Sequence, residues 1–402
     1  MKIAFFLGSV DISGGSYVIY QHALYAHARG HDVTIVAQYR FQPSQLAWHP
    51  ATSVLRIVHV DDLDADATFD LAIATWWKTA TELHRLRAAQ YAYFVQSIES
   101  RFYPEGEGPL RELVDSTYRL PLPGVTEATW IREHLSTHYG HAYHLARNGI
   151  RKDLYSEQGE AAAPRLPRGE LRVLVEGPFG VFFKNVGRSL KLMRKAAPAQ
   201  TWLLTSSEVS WYPGVDRLFS RVPIQSVPQI YRACDVIVKL SYVEGMFGPP
   251  LEMFHCGGTA VVYDVTGHDE YIVDGRNAMV VARDDEQGVI DAVRRLQREP
   301  DLLASLKQGA RDTAAAWPDW DEASRVFLLA LESFMDAPRV AREQIEQMNR
   351  QAMEVYAAAE QTRLAQRPST KWRYRMDAML DRVPATVARN LRLGRYVLES
   401  LR

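Results

Sequence analysis

Residues 244–258 constrain the fold of this chain more than any other segment. They read E-G-M-F-G-P-P-L-E-M-F-H-C-G-G and carry two glutamates, Glu244 and Glu252, eight residues apart. The apolar run D-V-I-V-K-L-S just upstream predicts a buried strand, and the closing glycine pair predicts the end of a helix. The segment therefore predicts a strand, a glycine loop and a helix, with Glu252 in the first helical turn.

This combination suits a phosphorylated sugar. Gly245 and Gly248 let the backbone approach a ligand closely, and a helix N-terminus directs free N–H groups and a positive dipole end toward an anion. Carboxylate oxygens only accept hydrogen bonds, so Glu244 and Glu252 suit sugar hydroxyls. The alternative is that Glu252 only stabilises the helix dipole and that Glu244 is a solvated loop charge.

The segment resembles the E-x7-E signature of retaining glycosyltransferases of family 4. The resemblance implies an α/β fold of the GT-B type, in which two Rossmann-like domains face each other across a cleft. It also implies that Glu252 holds the ribose of the donor nucleotide and that Glu244 faces the donor sugar, as a catalytic residue. The loop residues that it assigns to donor binding are Gly245, Met246, Phe247 and Gly248. Because Phe247-Gly248 stands one residue later than the usual Phe-Gly, we expect individual loop contacts to be shifted.

The composition predicts a soluble, globular chain large enough for two domains. It has 402 residues, of which 47% are hydrophobic and 24% charged. A formal net charge of -1 argues against nucleic acid as a partner. Cys234 and Cys256 lie in apolar segments and suggest buried thiols, and no metal-binding motif is present. No apolar run reaches the ~18 residues of a membrane span, so we expect a cytoplasmic protein.

The N-terminal end of the chain predicts a unit of the same kind. A strand over residues 2–7 leads into a glycine loop, and a helix follows over residues 16–29. In family 4 a Gly-Gly pair here approaches the donor phosphates. The resemblance therefore assigns Gly14 and Gly15 to donor binding, and the alternative is an ordinary turn. We interpret His22, His27 and His31 as structural, because His22 and His27 are five residues apart and do not share a helix face, and His31 lies in the predicted turn Arg-Gly-His-Asp.

A second candidate site follows the predicted strand over residues 91–96. Polar residues stand at its carboxyl end, where open α/β sheets bind their ligands. The segment from Gln96 to Pro104 resembles the Gln-Asp-Tyr-Glu…Phe-Tyr-Pro stretch of bacterial rhamnosyltransferases that build surface polysaccharides. The resemblance implies that Gln96 and Arg101 contact the acceptor or the sugar and that Glu99 is catalytic. The alternative is a strand-end turn with solvated charges.

The loop after the predicted strand over residues 171–175 carries a third site. In family 4 an Arg and a Lys of this loop bind the donor pyrophosphate. Lys184 matches that Lys and is the third predicted catalytic residue, and Asn185 beside it is assigned to donor binding. No Arg stands at the usual place, so Arg188 is considered as a substitute. The alternative for Lys184 is a solvated lysine at a helix start, which the helix dipole disfavours.

The predicted organisation has four parts. Residues 1–160 form an acceptor domain, 161–320 a donor domain, 321–336 a helix that returns to the first domain, and 337–402 a basic helical tail. Residues 363–402 hold ten basic and three acidic residues interleaved with aromatic and aliphatic ones, a composition that suits an anionic membrane surface. The alternative is an arm that packs on its own chain or on a second subunit. A weak helical seam precedes it at Ile345, Met348, Ala352, Val355 and Ala359.

These observations predict a glycosyltransferase that needs no cofactor and no metal. The resemblance implies that a sugar passes, with retention, from a dTDP-, UDP- or GDP-linked donor to a glycan or lipid-linked glycan acceptor. Cell-surface polysaccharide assembly, on the inner face of the membrane, is the expected setting, and rhamnose is one candidate sugar. Two alternatives remain open. One is a GT-B enzyme that uses water, as sugar-nucleotide epimerases do, and the other is a non-catalytic binder of nucleotide sugars.

Overall fold

The computed structural model describes residues 1–366 of the chain. They form two compact units, one of Met1–Gly149 with the chain from Pro318 onward, and one of Ile150–Trp317. Within the described residues no helix is long and apolar enough to cross a lipid bilayer. Most of the basic stretch predicted to bind anionic lipid, from residue 367 on, lies outside the described part of the chain.

The first unit is built on a seven-stranded sheet in which all neighbouring strands are parallel. Its strands are β1 (Lys2–Leu7), β2 (Asp32–Ala37), β3 (Arg56–His59), β4 (Phe69–Ala74), β5 (Ala88–Val95), β6 (Gly124–Thr126) and β7 (His144–Leu145). The strand order is β3-β2-β1-β4-β5-β6-β7. The chain thus reverses its direction across the sheet between β1 and β4, and a parallel sheet binds its ligands outside the carboxyl ends at such a point.

Four helices of the first unit join these strands, in the crossover connections that parallel strands require. They are α1 (Gly14–Ala28), α2 (Trp77–Thr81), α3 (Gly108–Thr117) and α4 (Thr129–Tyr139). Side chains of α1 and α3 pack on opposite faces of the sheet, which is why β1, β4 and β5 are apolar nearly throughout.

The second unit repeats this plan with six parallel strands. They are β8 (Arg172–Glu176), β9 (Gln200–Thr205), β10 (Arg217–Ser220), β11 (Val236–Lys239), β12 (Thr259–Tyr263) and β13 (Ala278–Val281). The order β10-β9-β8-β11-β12-β13 places the reversal between β8 and β11. Its helices are α5 (Val186–Ala196), α6 (Val227–Ala233), α7 (Gly248–His255), α8 (Glu286–Arg298) and α9 (Pro300–Ala316). Cys234 and Cys256 are free and buried, as predicted.

Two further helices, α10 (Trp320–Ser333) and α11 (Arg342–Gln366), belong to the first unit although they follow the second in sequence. The Phe327 ring of α10 stacks on the His22 imidazole of α1 at 3.9 Å, and the His22 Nδ1 atom lies 3.0 Å from the Ser324 hydroxyl. Burial lowers the pKa of His22 to about 3. The imidazole is therefore a neutral core group, as the structural interpretation of this histidine expects.

Helix α11 uses part of its predicted seam inside its own unit. Ile345 is fully buried, and Met348 and Ala352 pack against the core that α3 and α2 share. Val355 is 64% exposed instead, and Tyr356 packs in its place. For residues 345–356 the structure thus shows an arm that packs on its own chain.

Three strands and one connection differ from the sequence predictions. Strands β6, β10 and β13 were not predicted, because three or four residues are too few to show a period of two. Residues 161–169 contain Pro and Gly without periodicity, which predicts a linker between the two domains. The Arg165 guanidinium donates to the carbonyls of Gly257 and Cys256, at 2.9 and 2.8 Å, so this segment is packed on the second unit.

Replacing Gly309 by alanine should lower the free energy of unfolding by about 1–3 kcal/mol. A Cβ at this position of α9 would lie 2.0 Å from the Arg276 carbonyl oxygen, and backbone cannot move aside cheaply. Gly108→Ala in the first turn of α3 is the matched control, since its Cβ would meet nothing within 4 Å. Urea denaturation of both variants measures the difference, and equal stability would contradict the close approach.

Candidate active site

The loops that follow β8 and β11 meet at the reversal point of the second sheet. Val175, near the end of β8, is in register with Val238 of β11, so the segments that leave these strands start side by side. The first of these segments leads to Lys184 and the second to Glu244. Sixty residues separate the two in sequence, and the strand order alone brings them together.

Glu244 and Lys184 form an ion pair. The Lys184 Nζ atom lies 2.8 Å from Glu244 Oε2, and the Glu244 side chain is only 6% exposed. Burial alone would raise the pKa of Glu244, but the ammonium groups of Lys184 and Lys239 hold it below its usual value. The alternatives, a solvated lysine for Lys184 and a solvated loop charge for Glu244, are therefore both wrong. The two residues are instead a paired carboxylate and ammonium at the edge of the sheet.

Lys239 is a member of this site that the sequence interpretation missed. It lies on β11, is 3% exposed and is paired with the Glu176 carboxylate at the end of β8. Burial lowers the pKa of Lys239, but Glu176 and Glu244 raise it by more, so the ammonium stays charged. A lysine inside the apolar run D-V-I-V-K-L-S was the available signal. A buried lysine needs a carboxylate partner. Buried pairs of charged side chains are found most often at functional sites.

Glu252 lies one residue beyond the first turn of α7, because the helix begins at Gly248. The prediction that it sits in the first turn is therefore wrong. Its carboxylate is partly buried beside the hydroxyls of Tyr231 and Tyr155. Burial and the nearby Glu176 raise the pKa of Glu252 to about 7, although the two hydroxyls lower it.

This raised pKa predicts a pH-dependent stability. An unfolded Glu252 titrates near 4.5 and the folded one near 7, so the folded chain holds the extra proton between these values. Relative to Glu252→Gln, the wild type should lose on the order of 2 kcal/mol of unfolding free energy as pH rises through this window. Urea denaturation of both proteins from pH 4.5 to 8 measures it. A constant difference between them would contradict the raised pKa.

The start of α7 offers fewer N–H donors than predicted. The Gly248 amide donates to the Met246 carbonyl at 2.9 Å, and Pro249 and Pro250 have no N–H group. The expected free N–H groups of the first helical turn are thus absent, and the assignment of Gly248 as an N–H donor to the ligand is wrong. The dipole of α7 remains as its contribution to an anion at this edge.

The other loop residues keep at most a backbone role. The Met246 and Phe247 side chains are buried in the core of the second unit, so they do not reach a donor. The Phe247 carbonyl accepts a hydrogen bond from the Tyr271 hydroxyl. A contact of Met246 or Phe247 with a donor would therefore have to come from the backbone, and that assignment stays a prediction. The assignment of Gly245, which concerned its backbone, stays a prediction.

Asn185 and Arg188 are engaged by the protein itself. Asn185 has a left-handed backbone with φ 51°, and its side-chain amide donates to the Leu240 carbonyl at 2.8 Å. It therefore ties the loop of Lys184 to the end of β11. Arg188 is paired with Asp284 and bonded to the Tyr242 hydroxyl, which argues against its use as a substitute for the missing pyrophosphate arginine. No side chain caps the start of α5, so its first N–H groups are open to an anion.

In the first unit the carboxyl edge brings Gly15 and Gln96 together. Helix α1 begins at Gly14, two residues earlier than predicted, after the N-cap Ser13. A Cβ on Gly15 would lie 3.4 Å from the Gln96 Nε2 atom, and that atom is 3.4 Å from the Thr75 carbonyl oxygen. The glycines are thus part of the helix start rather than of the loop, and they lie at the reversal point between β1 and β4.

Glu99 and Arg101 lie in a short 3-10 helix, Glu99–Phe102, but face different partners. The buried Glu99 carboxylate accepts the Trp77 N–H at 2.8 Å. Burial raises the pKa of Glu99 to about 8, and Glu127 adds to the rise while the Trp77 N–H opposes it. The Arg101 guanidinium lies 5.0 Å from the ring centre of Trp130. The burial of Glu99 and its hydrogen bond exclude the alternative of a solvated charge at this position.

Two Rossmann-like units of this kind make up the GT-B fold of glycosyltransferases, and similar solved structures share it. The chain superimposes on Anabaena Alr3699/HepE in complex with UDP-glucose with a TM-score of 0.68, at 14% identity, over 83% of this chain and 100% of that one. It superimposes on a sucrose-phosphate synthase from Thermosynechococcus elongatus with a TM-score of 0.66, at 15% identity, over 84% and 99%. WaaG, a glycosyltransferase involved in lipopolysaccharide biosynthesis, gives 0.60 at 16% identity, over 82% and 99%.

Sequence comparisons point the same way. Residues 217–313 match the family described as Glycosyl transferases group 1. The O-antigen biosynthesis protein RfbC of Myxococcus xanthus is 28% identical over 256 residues, which are 60% of this chain. The match spans 19% of the length of that relative. Together the matched segment and the fold support a GT-B glycosyltransferase.

Proposed function

We propose that this chain transfers a sugar from a nucleotide-sugar donor to a glycan or lipid-linked glycan acceptor in the assembly of a cell-surface polysaccharide. The observation that carries the proposal is the Lys184–Glu244 ion pair at the β8–β11 reversal point. Glu244 lies within the segment that matches the glycosyltransferase family. A buried carboxylate and an ammonium at this edge can bind sugar hydroxyls and a phosphate side by side.

The chemical problem is the negative charge that develops on the β-phosphate when the nucleoside diphosphate leaves. Lys184 has three N–H donors and spends one on Glu244, which leaves two for phosphate oxygens. The uncapped start of α5 adds backbone N–H groups and a positive dipole end at the same edge. Fixed donors of this kind stabilise a developing charge more than they stabilise the bound substrate.

We infer retention of the anomeric configuration from the E-x7-E resemblance. The acceptor hydroxyl would attack from the face that the diphosphate leaves, and the departing phosphate oxygen would take its proton. In this scheme Glu244 positions the sugar and Lys184, no protein nucleophile is required, and neither a metal nor a cofactor takes part. Glu252 would hold the ribose hydroxyls, and Gln96 and Glu99 would contact the acceptor side.

We place the reaction at the cytoplasmic face of the membrane, where a lipid-linked acceptor is accessible. The basic composition of residues 363–402 supports contact with anionic lipid, and association with a second copy of the chain is the other outcome. Rhamnose is the sugar we propose first, because of the resemblance of residues 96–104 to surface-polysaccharide rhamnosyltransferases. The O-antigen name of the Myxococcus xanthus relative is consistent with such a polysaccharide.

A donor screen tests the proposal. Thermal shift with dTDP, UDP, GDP and their sugars should single out one nucleotide, and NMR of the product formed on a glycan acceptor should show the donor's anomeric configuration, with EDTA present. Binding of a nucleotide sugar without transfer to any glycan or lipid-linked acceptor would support the alternative of a non-catalytic nucleotide-sugar binder. Release of free nucleoside diphosphate as fast without acceptor as with it would favour the water-using enzyme. Inversion would overturn the retaining scheme.

Replacing Glu252 by alanine should weaken nucleotide binding by about 1.5–3 kcal/mol, the value of hydrogen bonds to a charged acceptor, and should change kcat much less. Wild-type affinity should also rise as pH increases through about 7, because only the charged form of Glu252 accepts two hydroxyl bonds. Calorimetry at pH 6 and 8 measures both effects. Unchanged affinity in the variant would contradict a ribose role.

A further inference from the structure

The carboxyl edge of the first sheet carries an exposed aromatic cluster beside Gln96. Tyr39 follows β2, Gly8 follows β1, Trp76 follows β4 and Gln96 follows β5. In the sheet these four strands are consecutive, in the order β2-β1-β4-β5. One residue from each neighbouring strand therefore lines the same edge, at the reversal point of this unit.

The Trp76 ring is built into this edge. A Cβ on Gly8 would lie 2.4 Å from the Trp76 Cε3 atom, so only glycine at the end of β1 leaves room for the ring. The ring also meets Tyr39 edge-on, with 6.2 Å between the centres. The Lys78 Nζ atom lies 4.9 Å from the Trp76 ring centre and 3.0 Å from the Tyr39 hydroxyl. We call Tyr39, Trp76 and Lys78 the aromatic platform.

The platform is open to ligands although its support is buried. Tyr39 is 43% exposed, and Trp76 and Lys78 are partly exposed. Trp77 beneath them is buried, and its backbone N–H binds the Glu99 carboxylate. Glu99 is thereby bonded to Trp77, the residue that precedes Lys78 in sequence. Large aromatic rings left exposed at a ligand-binding edge require an explanation beyond core packing.

The chemistry of the platform matches a sugar ring. A pyranose has faces of C–H groups that pack on aromatic rings, and an outer rim of hydroxyls that need donors and acceptors. Tyr39 and Trp76 supply the rings, and the Lys78 ammonium and the Gln96 amide supply donors. The buried Glu99 carboxyl group stands on the same edge and is bonded to the Trp77 N–H. A lipid tail would match the rings but not this polar surround.

We propose that the aromatic platform binds the terminal sugar of the acceptor, in stacking contact with Tyr39 and Trp76. This inference rests on the proposed function, because it names the acceptor side of the same transfer. It adds three residues, Tyr39, Trp76 and Lys78, to the polar residues of this edge. It also gives Lys78 a specific task, which is to donate to a hydroxyl or an acidic group of that sugar.

Saturation-transfer NMR with methyl glycosides tests the platform without any donor. The probes are methyl glycosides of rhamnose, glucose, mannose and N-acetylglucosamine. Signal at the ring C–H protons of at least one of them should fall about three- to tenfold in Trp76→Ala and in Tyr39→Ala. Trp211→Ala is the matched control, a 62% exposed tryptophan of the second unit, and should behave as wild type. Tyr39 is exposed, so its variant should fold even where Trp76→Ala does not.

Nucleotide binding, measured by calorimetry on the same variants, separates this proposal from the proposed function. Intact nucleotide binding with reduced glycoside signal supports the platform. Equal signal in wild type and Tyr39→Ala, or no signal with any glycoside while nucleotide still binds, overturns the platform and leaves the transferase standing. If the wild type itself binds no nucleotide, the proposed function is wrong instead.

Discussion

Replacing Lys184 by alanine should lower kcat about 100- to 1000-fold, the usual effect of removing one donor from a developing oxyanion. Donor affinity should change far less. The Lys184 ammonium is fixed by Glu244 at 2.8 Å before any ligand arrives, so it does not need to reorganise as charge builds. Interactions that strengthen only in the transition state appear in kcat rather than in the dissociation constant. Steady-state kinetics and donor calorimetry measure the two quantities.

Lys195→Ala is the matched control, because Lys195 lies in the last turn of α5, the helix that follows the Lys184 loop, and its side chain is half exposed. It should leave kcat unchanged. Lys184→Ala also leaves the buried Glu244 without its partner, so the unfolding midpoint of each variant should be recorded with its activity. If kcat and donor affinity fall by the same factor, Lys184 is a binding residue and not a catalytic one.

Replacing Lys239 by methionine should lower the free energy of unfolding by about 3–5 kcal/mol, the cost of leaving one member of a buried ion pair alone. The Lys239 ammonium interacts electrostatically with the carboxylates of Glu176, Glu244 and Glu252. Without it, three carboxylates with too little compensating charge would share one buried edge. Urea denaturation at pH 7 measures the loss, which should shrink at pH 5, where carboxylates accept protons more readily.

The double variant Lys239→Met with Glu176→Gln is the control. A buried ion pair replaced as a whole is often nearly neutral for stability, so the second change should recover most of the loss. A Lys239→Met protein as stable as wild type would show that water reaches this edge freely.

Part of the site could be predicted because its residues carry local signals. Glycine loops after apolar runs marked both reversal points, and the resemblance placed Lys184 and Glu244 at one of them. The contact between these two residues has no local signal, since it depends on β8 and β11 being neighbours. The burial of Glu99 against the N–H of Trp77 depends in the same way on where α2 begins.

Other errors were avoidable. Pro249 and Pro250 stand in the sequence and lack N–H groups, so the poor donor count of α7 was already visible there. Lys239 stands in the middle of an apolar run, which predicts that it is buried and paired with a carboxylate. The side chains of Met246 and Phe247 are different, because their apolar character suited a loop ligand and a core equally. Only the packing of these two side chains in the core of the second unit shows that they are core residues.

The first unit is interrupted in sequence, since α10 completes its core only after residues 150–317 have been made. During synthesis the ribosome therefore releases every strand of the second unit before the first can close. At roughly 5–20 residues per second this delay lasts on the order of ten seconds or more. We expect the later-made unit to become protease-resistant first on stalled nascent chains, and the reverse order would show that residues 1–149 hold together unaided. The first unit, which carries the aromatic platform, would then complete its core last.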